Sequence, residues 1–375
     1  MIGRPKRVLH VIRAMDRGGV ETWLMHVLRR LDPRRLRMDF LIHTDIPAAY
    51  DAEIVERGSR LLRCTVSWRS PAYGAAVRSL IRSFGVYDVI HSHVHFFSGI
   101  LLAVTRQLQV PVRIAHSHCD AFPKDLAAGW LRRGYLRIAR ASMARHATHV
   151  VAASQTAGRA LFGKQWATHP DCRVLHCGID LEPFHRPSAR AEIRAGLGIC
   201  AEDVVIGHIG RFDMQKNHPF LVEIFAEAAR RDPRLRLLLI GDGRDRGFIE
   251  ERVRALDIGS RTIFLGSRPD VPSLLSAMDG FLFPSRFEGL GLALIEAQAA
   301  GLHCLVSDCV PEEADVVPEL VQRLPLKAGV AAWADELRVL AANGRSDRQA
   351  GLAAVENSDF SIDKSLEGLY ALYRA

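Results

Sequence analysis

Short apolar runs alternate with helix-patterned stretches along nearly all of the 375 residues, and this alternation most restricts what the chain can fold into. The runs "RVLHVI" (7–12), "MDFLIH" (38–43), "YDVIHSHV" (87–94), "VRIAHSHC" (112–119), "HVVAAS" (149–154) and "CRVLHCGID" (172–180) form a first series. They are rich in β-branched residues, and helical patterns such as "VETWLMHVLRRLD" separate them. Runs of this kind with helices between them imply parallel βαβ units rather than a meander. A connector, "LEPFHRPSARAEIRAGLG", leads to a second series: "VVIGHIGR" (204–211), "RLLLIGDG" (236–243), "TIFLGS" (262–267), "DGFLFPS" (279–285) and "HCLVSD" (303–308). The length exceeds the usual single-core limit. Two doubly wound α/β domains are therefore expected, 1–182 and 183–358, with a last helix at 359–375 packing back on the first. Open parallel sheets bind ligands at the carboxyl ends of their strands, so two such domains facing each other should leave a cleft.

Charge divides along the same line. The net +8 hides 27 Lys and Arg against 13 Asp and Glu in residues 1–180, and 23 against 29 in residues 181–375. A basic first half suits an anionic partner, a membrane surface or a phosphate-bearing substrate. Nucleic acid is not expected, because the arginines are dispersed and no zinc-finger or RNP-type motif accompanies them. Seven cysteines without a CxxC pair give no disulfide framework and point to a reducing cytoplasm. The opening "MIGRPKRVLHVIRAM" has too short an apolar run for a leader, and no run approaches the length of a spanning helix.

The stretch "FLFPSRFEGLGLALIEAQAAG" (281–301) raises a chemical question. Glu296 stands in a helix among Leu292, Ala293, Leu294, Ile295, Ala297 and Ala299, and Glu288 stands eight residues earlier beside Gly289 and Gly291. A carboxylate in such company is costly unless something satisfies it. Upstream, "GHIGRFDMQKNH" places Gly207 and Gly210 at a strand end, then Arg211 and Lys216 ahead of a helix. Glycines that expose backbone N–H groups, two cations and a helix N-terminus describe an anion site. It is neither a Walker loop nor a GxGxxG fingerprint. "LLLIGDG" adds Gly241, Asp242 and Gly243 at the next strand end.

Six blocks then carry a resemblance. "GRFDMQKNH", "LLLIGDG", "FLGSRPDVPSLL" and "FLFPSRFEGLGLALIEAQAAGL", with "RAMDRGGVETWLMHVLRRLD" and "YDVIHSHVHFFSG" in the first half, resemble family 4 glycosyltransferases of the GT-B fold. The E-x7-E pair, Glu288 and Glu296, is the mark of that family, and the likeness is greatest to bacterial exopolysaccharide or capsule transferases. It implies two Rossmann-like domains facing across a cleft and a retaining, metal-independent hexosyltransferase. The donor implied is a nucleotide-diphosphate sugar, UDP-linked by preference, and the acceptor is lipid-linked or a saccharide. By the same resemblance Glu296 accepts hydrogen bonds from a ribose diol, Glu288 contacts the donor sugar, and Arg211 and Lys216 grip the diphosphate. Gly210, Gly241, Asp242, Gly289, Leu290 and Gly291 line the donor, and Gly18 and Gly19 approach it from the first domain. Relatives often have proline where Gly291 stands; glycine allows the same amide presentation with less rigidity.

Negative charge growing on a departing diphosphate is stabilised most in the transition state by fixed cations and N–H groups. A cationic leaving-group site can replace a metal, and the chain contains no D-x-D pair. No cofactor and no metal is expected. His91, His93 and His95 alternate along one expected strand, as do His116 and His118 on the next, so each set should share a face. The resemblance puts a histidine against the donor sugar at that second strand end, His116 or His118, with His116 preferred. The segment "GWLRRGYLRIARASMARHATHV" (129–150) reads as a basic helix with Leu131, Tyr135, Ile138 and Ser142 on one face. It suits an anionic lipid surface, hence a cytoplasmic protein peripheral at the inner face of the plasma membrane. Two other functions fit the architecture: a sugar-nucleotide epimerase, and a non-catalytic nucleotide-sugar binder.

Overall fold

The computed structural model describes residues 4–118, 129–163, 166, 172–186 and 189–374. They form two compact units, residues 1–178 with 362–375, and residues 179–361. The first unit thus ends four residues ahead of the expected boundary. It regains the chain at Ile362, where the last helix, Ile362–Arg374, begins.

The first unit is built on a seven-stranded parallel sheet in the order β3-β2-β1-β4-β5-β6-β7. Its strands are β1 (Lys6–Ile12), β2 (Leu36–Ile42), β3 (Leu61–Arg63), β4 (Val89–Ser92), β5 (Val112–Ser117), β6 (His149–Ala152) and β7 (Cys172–Val174). Successive side chains leave a strand on opposite faces. Leu9 and Val11 of β1 therefore join one core with Ile90, Ala115, Leu101 and Leu102. His10 turns to the other face, against Tyr373 of the helix Ile362–Arg374. The last helix is held here by Trp23, whose Nε1 donates to Ser365 Oγ at 2.7 Å, and by the Asp32 amide donating to the Tyr370 hydroxyl at 3.0 Å.

The second unit carries a six-stranded parallel sheet in the order β10-β9-β8-β11-β12-β13. The strands are β8 (Val204–Ile209), β9 (Leu235–Ile240), β10 (Thr262–Phe264), β11 (Gly280–Phe283), β12 (His303–Ser307) and β13 (Val321–Leu324). Burial on both faces explains the unbroken apolar runs. Val205, Leu238, Phe281, Phe283 and Val306 enter one core with Leu294 and Ile295 of the helix Leu292–Ala299. Ile206, Leu237, Leu239, Leu282 and Leu305 enter the other with Leu221 and Phe225 of the helix His218–Arg231. Strand order reverses between β8 and β11, the switch point where doubly wound sheets open a ligand crevice.

Two local expectations need correction. The edge strands β3 and β13 were not expected; each is short, with arginine inside it. β4 stops at Ser92, and His95 adopts a left-handed backbone (φ 51°) opening a short 3-10 turn, so it leaves the face shared by His91 and His93. The basic helix spans Trp130–His146 and buries Leu136, Ala139 and Met143. Of the face read from the spacing, Leu131 and Ile138 are 68% and 72% exposed beside Trp130 at 80%.

Candidate functional site

At the carboxyl ends of β8 and β11 the backbone brings two loops together. After β8 the chain turns through Gly210 and Arg211, and the Arg286 amide donates to the Gln215 carbonyl at 2.8 Å, tying this loop to the one after β11. Asn217, left-handed at φ 56°, ends the first loop; its Nδ2 donates to the Pro284 carbonyl at 3.1 Å. Asparagine tolerates that conformation because its short polar side chain bonds locally.

This crossing holds Lys216 against Glu288. Lys216 Nζ donates to Glu288 Oε1 at 2.7 Å, and Gln215 Nε2 donates to Glu288 Oε2 at 2.9 Å. Both charges are largely buried, with side-chain exposures of 15% and 6%. Lys216 Nζ also lies 4.5 Å from the centroid of the Phe283 ring, an aromatic face that favours a cation. Sequence reasoning found Lys216 and Glu288 but missed Gln215 and Phe283; the signal was their adjacency to Lys216 and to the β11 end.

Glu296 lies one turn inside the helix Leu292–Ala299, whose start is set by Gly291 at φ 99°. No protein group among the described residues donates a hydrogen bond to its carboxyl. Burial pushes that carboxyl up to about 7, and the Lys216 ammonium pulls it the other way. A carboxyl kept near neutrality by an apolar helix is a group that a ligand's hydroxyls can satisfy.

The loop after β9 stacks directly on the loop after β8. Gly241 (φ 137°) passes so near Gly210 that a Cβ on it would stand 2.1 Å from the Gly210 carbonyl oxygen. The Phe212 amide donates to the Asp242 carbonyl at 3.0 Å. The Asp242 carboxylate is exposed and paired with Arg246 Nη1 at 3.1 Å. Arg211 is exposed and makes no ion pair among the described residues. Gly289 and Leu290 are buried. Beneath these loops His208 and His218 are buried: His218 stacks on Phe212 at 4.0 Å between centroids, and His208 Nδ1 donates to the Leu282 carbonyl at 2.8 Å. Burial holds both below the usual histidine range, His218 at about 3.

Gly18, Gly19 and His116 belong to the other unit. Gly18 is the extended residue that caps the helix Gly19–Arg30. His116 is fully buried at the penultimate position of β5, and its surroundings are other rings. His10, His91, His93, His116 and His118 form one layer on a single face of β1, β4 and β5. His116 Nδ1 and His91 Nε2 share a hydrogen bond at 3.0 Å, and His91 Nδ1 and the Tyr373 hydroxyl one at 2.7 Å. His10 Nδ1 meets His93 Nε2 at 3.0 Å, His93 Nδ1 meets His118 Nε2 at 2.7 Å, and His118 Nδ1 reaches Cys177 Sγ at 3.5 Å. Burial, joined in four of the rings by neighbouring imidazoles, holds all five below the usual histidine range. His10, Tyr373 and Cys177 escaped the sequence reading; only the parallel register, which sets His10 beside His91, reveals the first of them.

Comparison with known proteins adds to this geometry. Residues 17–183 match the family model described as Glycosyltransferase Family 4, and residues 189–356 the model described as Glycosyl transferases group 1. EpsF of Bacillus subtilis (strain 168), a glycosyltransferase by name, is 37% identical over 98% of this chain and 96% of its own. The GDP-mannose:cellobiosyl-diphosphopolyprenol alpha-mannosyltransferase of Xanthomonas campestris is 26% identical over 97% and 92%. Among solved structures, HepE of Anabaena, crystallised with UDP and glucose, superposes with a TM-score of 0.78 at 18% identity, covering 98% of this chain and 99% of that one.

Proposed function

The chain belongs to glycosyltransferase family 4, with two Rossmann-like units of the GT-B type, and on that premise we propose that it is a retaining hexosyltransferase. It moves a sugar from a nucleotide-diphosphate donor, UDP-linked by preference, to a lipid-linked or saccharide acceptor in exopolysaccharide synthesis. One observation carries the donor site: Lys216, Glu288 and Glu296 converge where β8 and β11 diverge, and Glu296 has no donor of its own there.

On this reading the Glu296 carboxylate accepts both ribose hydroxyls, a bidentate arrangement that offsets its desolvation. Arg211, exposed and without an acidic partner among the described residues, meets the diphosphate together with Lys216. As the bond from sugar to phosphate breaks, these cations stabilise the charge gathering on the leaving group. Glu288, oriented by Gln215 and Lys216, faces the sugar ring. Gly210, Gly241, Asp242, Gly289, Leu290 and Gly291 shape the walls. No histidine of the buried layer is assigned a part. A peripheral membrane position is supported by the outer face of the helix Trp130–His146, where exposed Trp130, Leu131 and Ile138 stand among exposed arginines. No helix among the described residues is long and apolar enough to cross a membrane.

Calorimetric titration with UDP, GDP and ADP tests the donor site. One nucleotide should bind, and both Glu296→Ala and Arg211→Ala should weaken it. Failure of all three to bind folded protein would overturn the transferase reading in favour of a non-catalytic role.

A further inference from the structure

The histidine layer of the first unit asks for an explanation that sugar transfer does not provide. Five imidazoles pack together on one face of a parallel sheet, three of them fully buried, where apolar side chains would fill the space without needing partners. Their hydrogen bonds account for every ring nitrogen of the layer but one. His10 and His91 use both of theirs, toward His93, His116 and Tyr373. His93 and His118 also use both. The exception is His116 Nε2, buried with no hydrogen-bond partner within bonding geometry among the described residues, although the Leu175 backbone lies near enough to act on the ring.

His116 also belongs to a group of three. One ring nitrogen each of His93, His116 and His118 lies within 4.8 Å of the others. We propose that His93, His116 and His118 bind a borderline divalent cation of the zinc, cobalt or nickel class, a site separate from the donor site of the second unit. Imidazole nitrogen suits such ions, and three histidines with one open position are a recurrent set for them. His93 Nδ1 and His118 Nε2 already face each other at 2.7 Å. Tetrahedral binding needs about 3.3 Å between ligand nitrogens, so the two rings part only slightly.

The outer shell is the stronger argument. A metal-bound histidine usually donates its other N–H to a fixed acceptor, which sets the tautomer and aims the lone pair. Here His116 Nδ1 faces His91 Nε2, His93 Nε2 faces His10 Nδ1, and His118 Nδ1 faces Cys177 Sγ. With an ion bound, one tautomer pattern serves the layer: each ligand donates outward, and His91 and His10 donate onward to the Tyr373 hydroxyl. Trp23 sets its ring edge-on to His93 and His116 and tilted to His118, closing the layer on the helix side. The alternative group, His10, His91 and His93, is less suited, because both nitrogens of each ring already have hydrogen-bond partners.

The test uses the full chain without a histidine tag, stripped with a chelator and titrated with zinc(II) alone and cobalt(II) alone. Saturation at equimolar ion is expected, with the intense visible bands of four-coordinate cobalt. His93→Gln and His116→Gln should each weaken affinity by more than about 100-fold, and His91→Gln, in the outer shell, by about 10- to 100-fold. His146→Gln, on the helix Trp130–His146, should leave it unchanged. X-ray absorption of the zinc-loaded wild type should count three imidazoles, and this reading stands even where a variant fails to fold. Absence of saturable binding, binding that survives both ligand substitutions, or a bound ion with fewer than three imidazoles would overturn the proposal.

Discussion

Replacing Glu296 by glutamine should make the second unit more stable at alkaline pH while weakening its hold on a nucleotide. Folding raises this carboxyl from 4.5 to about 7, chiefly by burial. A raised acid keeps its proton over a wider pH range in the native chain than in the unfolded one. Stability therefore falls as pH climbs from about 4.5 to about 7 and stays low above that. The shift corresponds to roughly 3 kcal/mol, an upper figure because Glu296 keeps partial solvent contact. Urea unfolding of wild type and Glu296→Gln at pH 5 and pH 8 isolates this group as a difference of slopes. The variant should lose most of the decline and exceed wild type at pH 8. Its partner measurement is UDP calorimetry at pH 6 and pH 8. If the ionised carboxylate holds the ribose, wild-type affinity should rise about tenfold across that interval beyond any rise in the variant, which shares the titration of the nucleotide's own phosphate. Equal unfolding slopes, or a variant less stable than wild type at pH 8, would refute the assignment of this carboxyl to an apolar, donor-free site.

Lys216→Met should cost about 3 to 5 kcal/mol by leaving the Glu288 carboxylate buried and unpaired, and adding Glu288→Gln should restore more than half; a double-mutant cycle in urea measures both. Gly241→Ala should destabilise the second unit by at least about 3 kcal/mol, since its Cβ would meet the Gly210 carbonyl at 2.1 Å in a left-handed backbone. Gly134→Ala, in a helix with open space around it, should instead stabilise by about 1 kcal/mol, both read by thermal melting. Trp130→Ser with Ile138→Ser should reduce flotation with anionic vesicles at low salt and leave the melt unchanged, because both side chains are exposed.

Sequence alone determined the parts of this protein that depend on local pattern. The apolar runs announced both parallel sheets, because a strand covered on both faces must be apolar at successive positions. The glycine turns, Lys216 and the spaced glutamates were visible for the same reason: each is a residue type set at a fixed distance from a strand end. Where the pattern was short or shared between two faces, it misled. β3 and β13 are edge strands with little burial to select their residues. The helix Trp130–His146 carries apolar residues on two sides, and periodicity cannot tell a core face from an exposed one.

Only the tertiary structure decided which groups meet. Lys216 and Glu288 are 72 residues apart and pair because strand order reverses between β8 and β11. His91 and Tyr373 are 282 apart and pair because the last helix returns to the first unit. Backbone geometry writes its periods into neighbouring residues, so they can be read from the chain. Contacts between distant residues depend on sheet order and register, which a single strand does not encode.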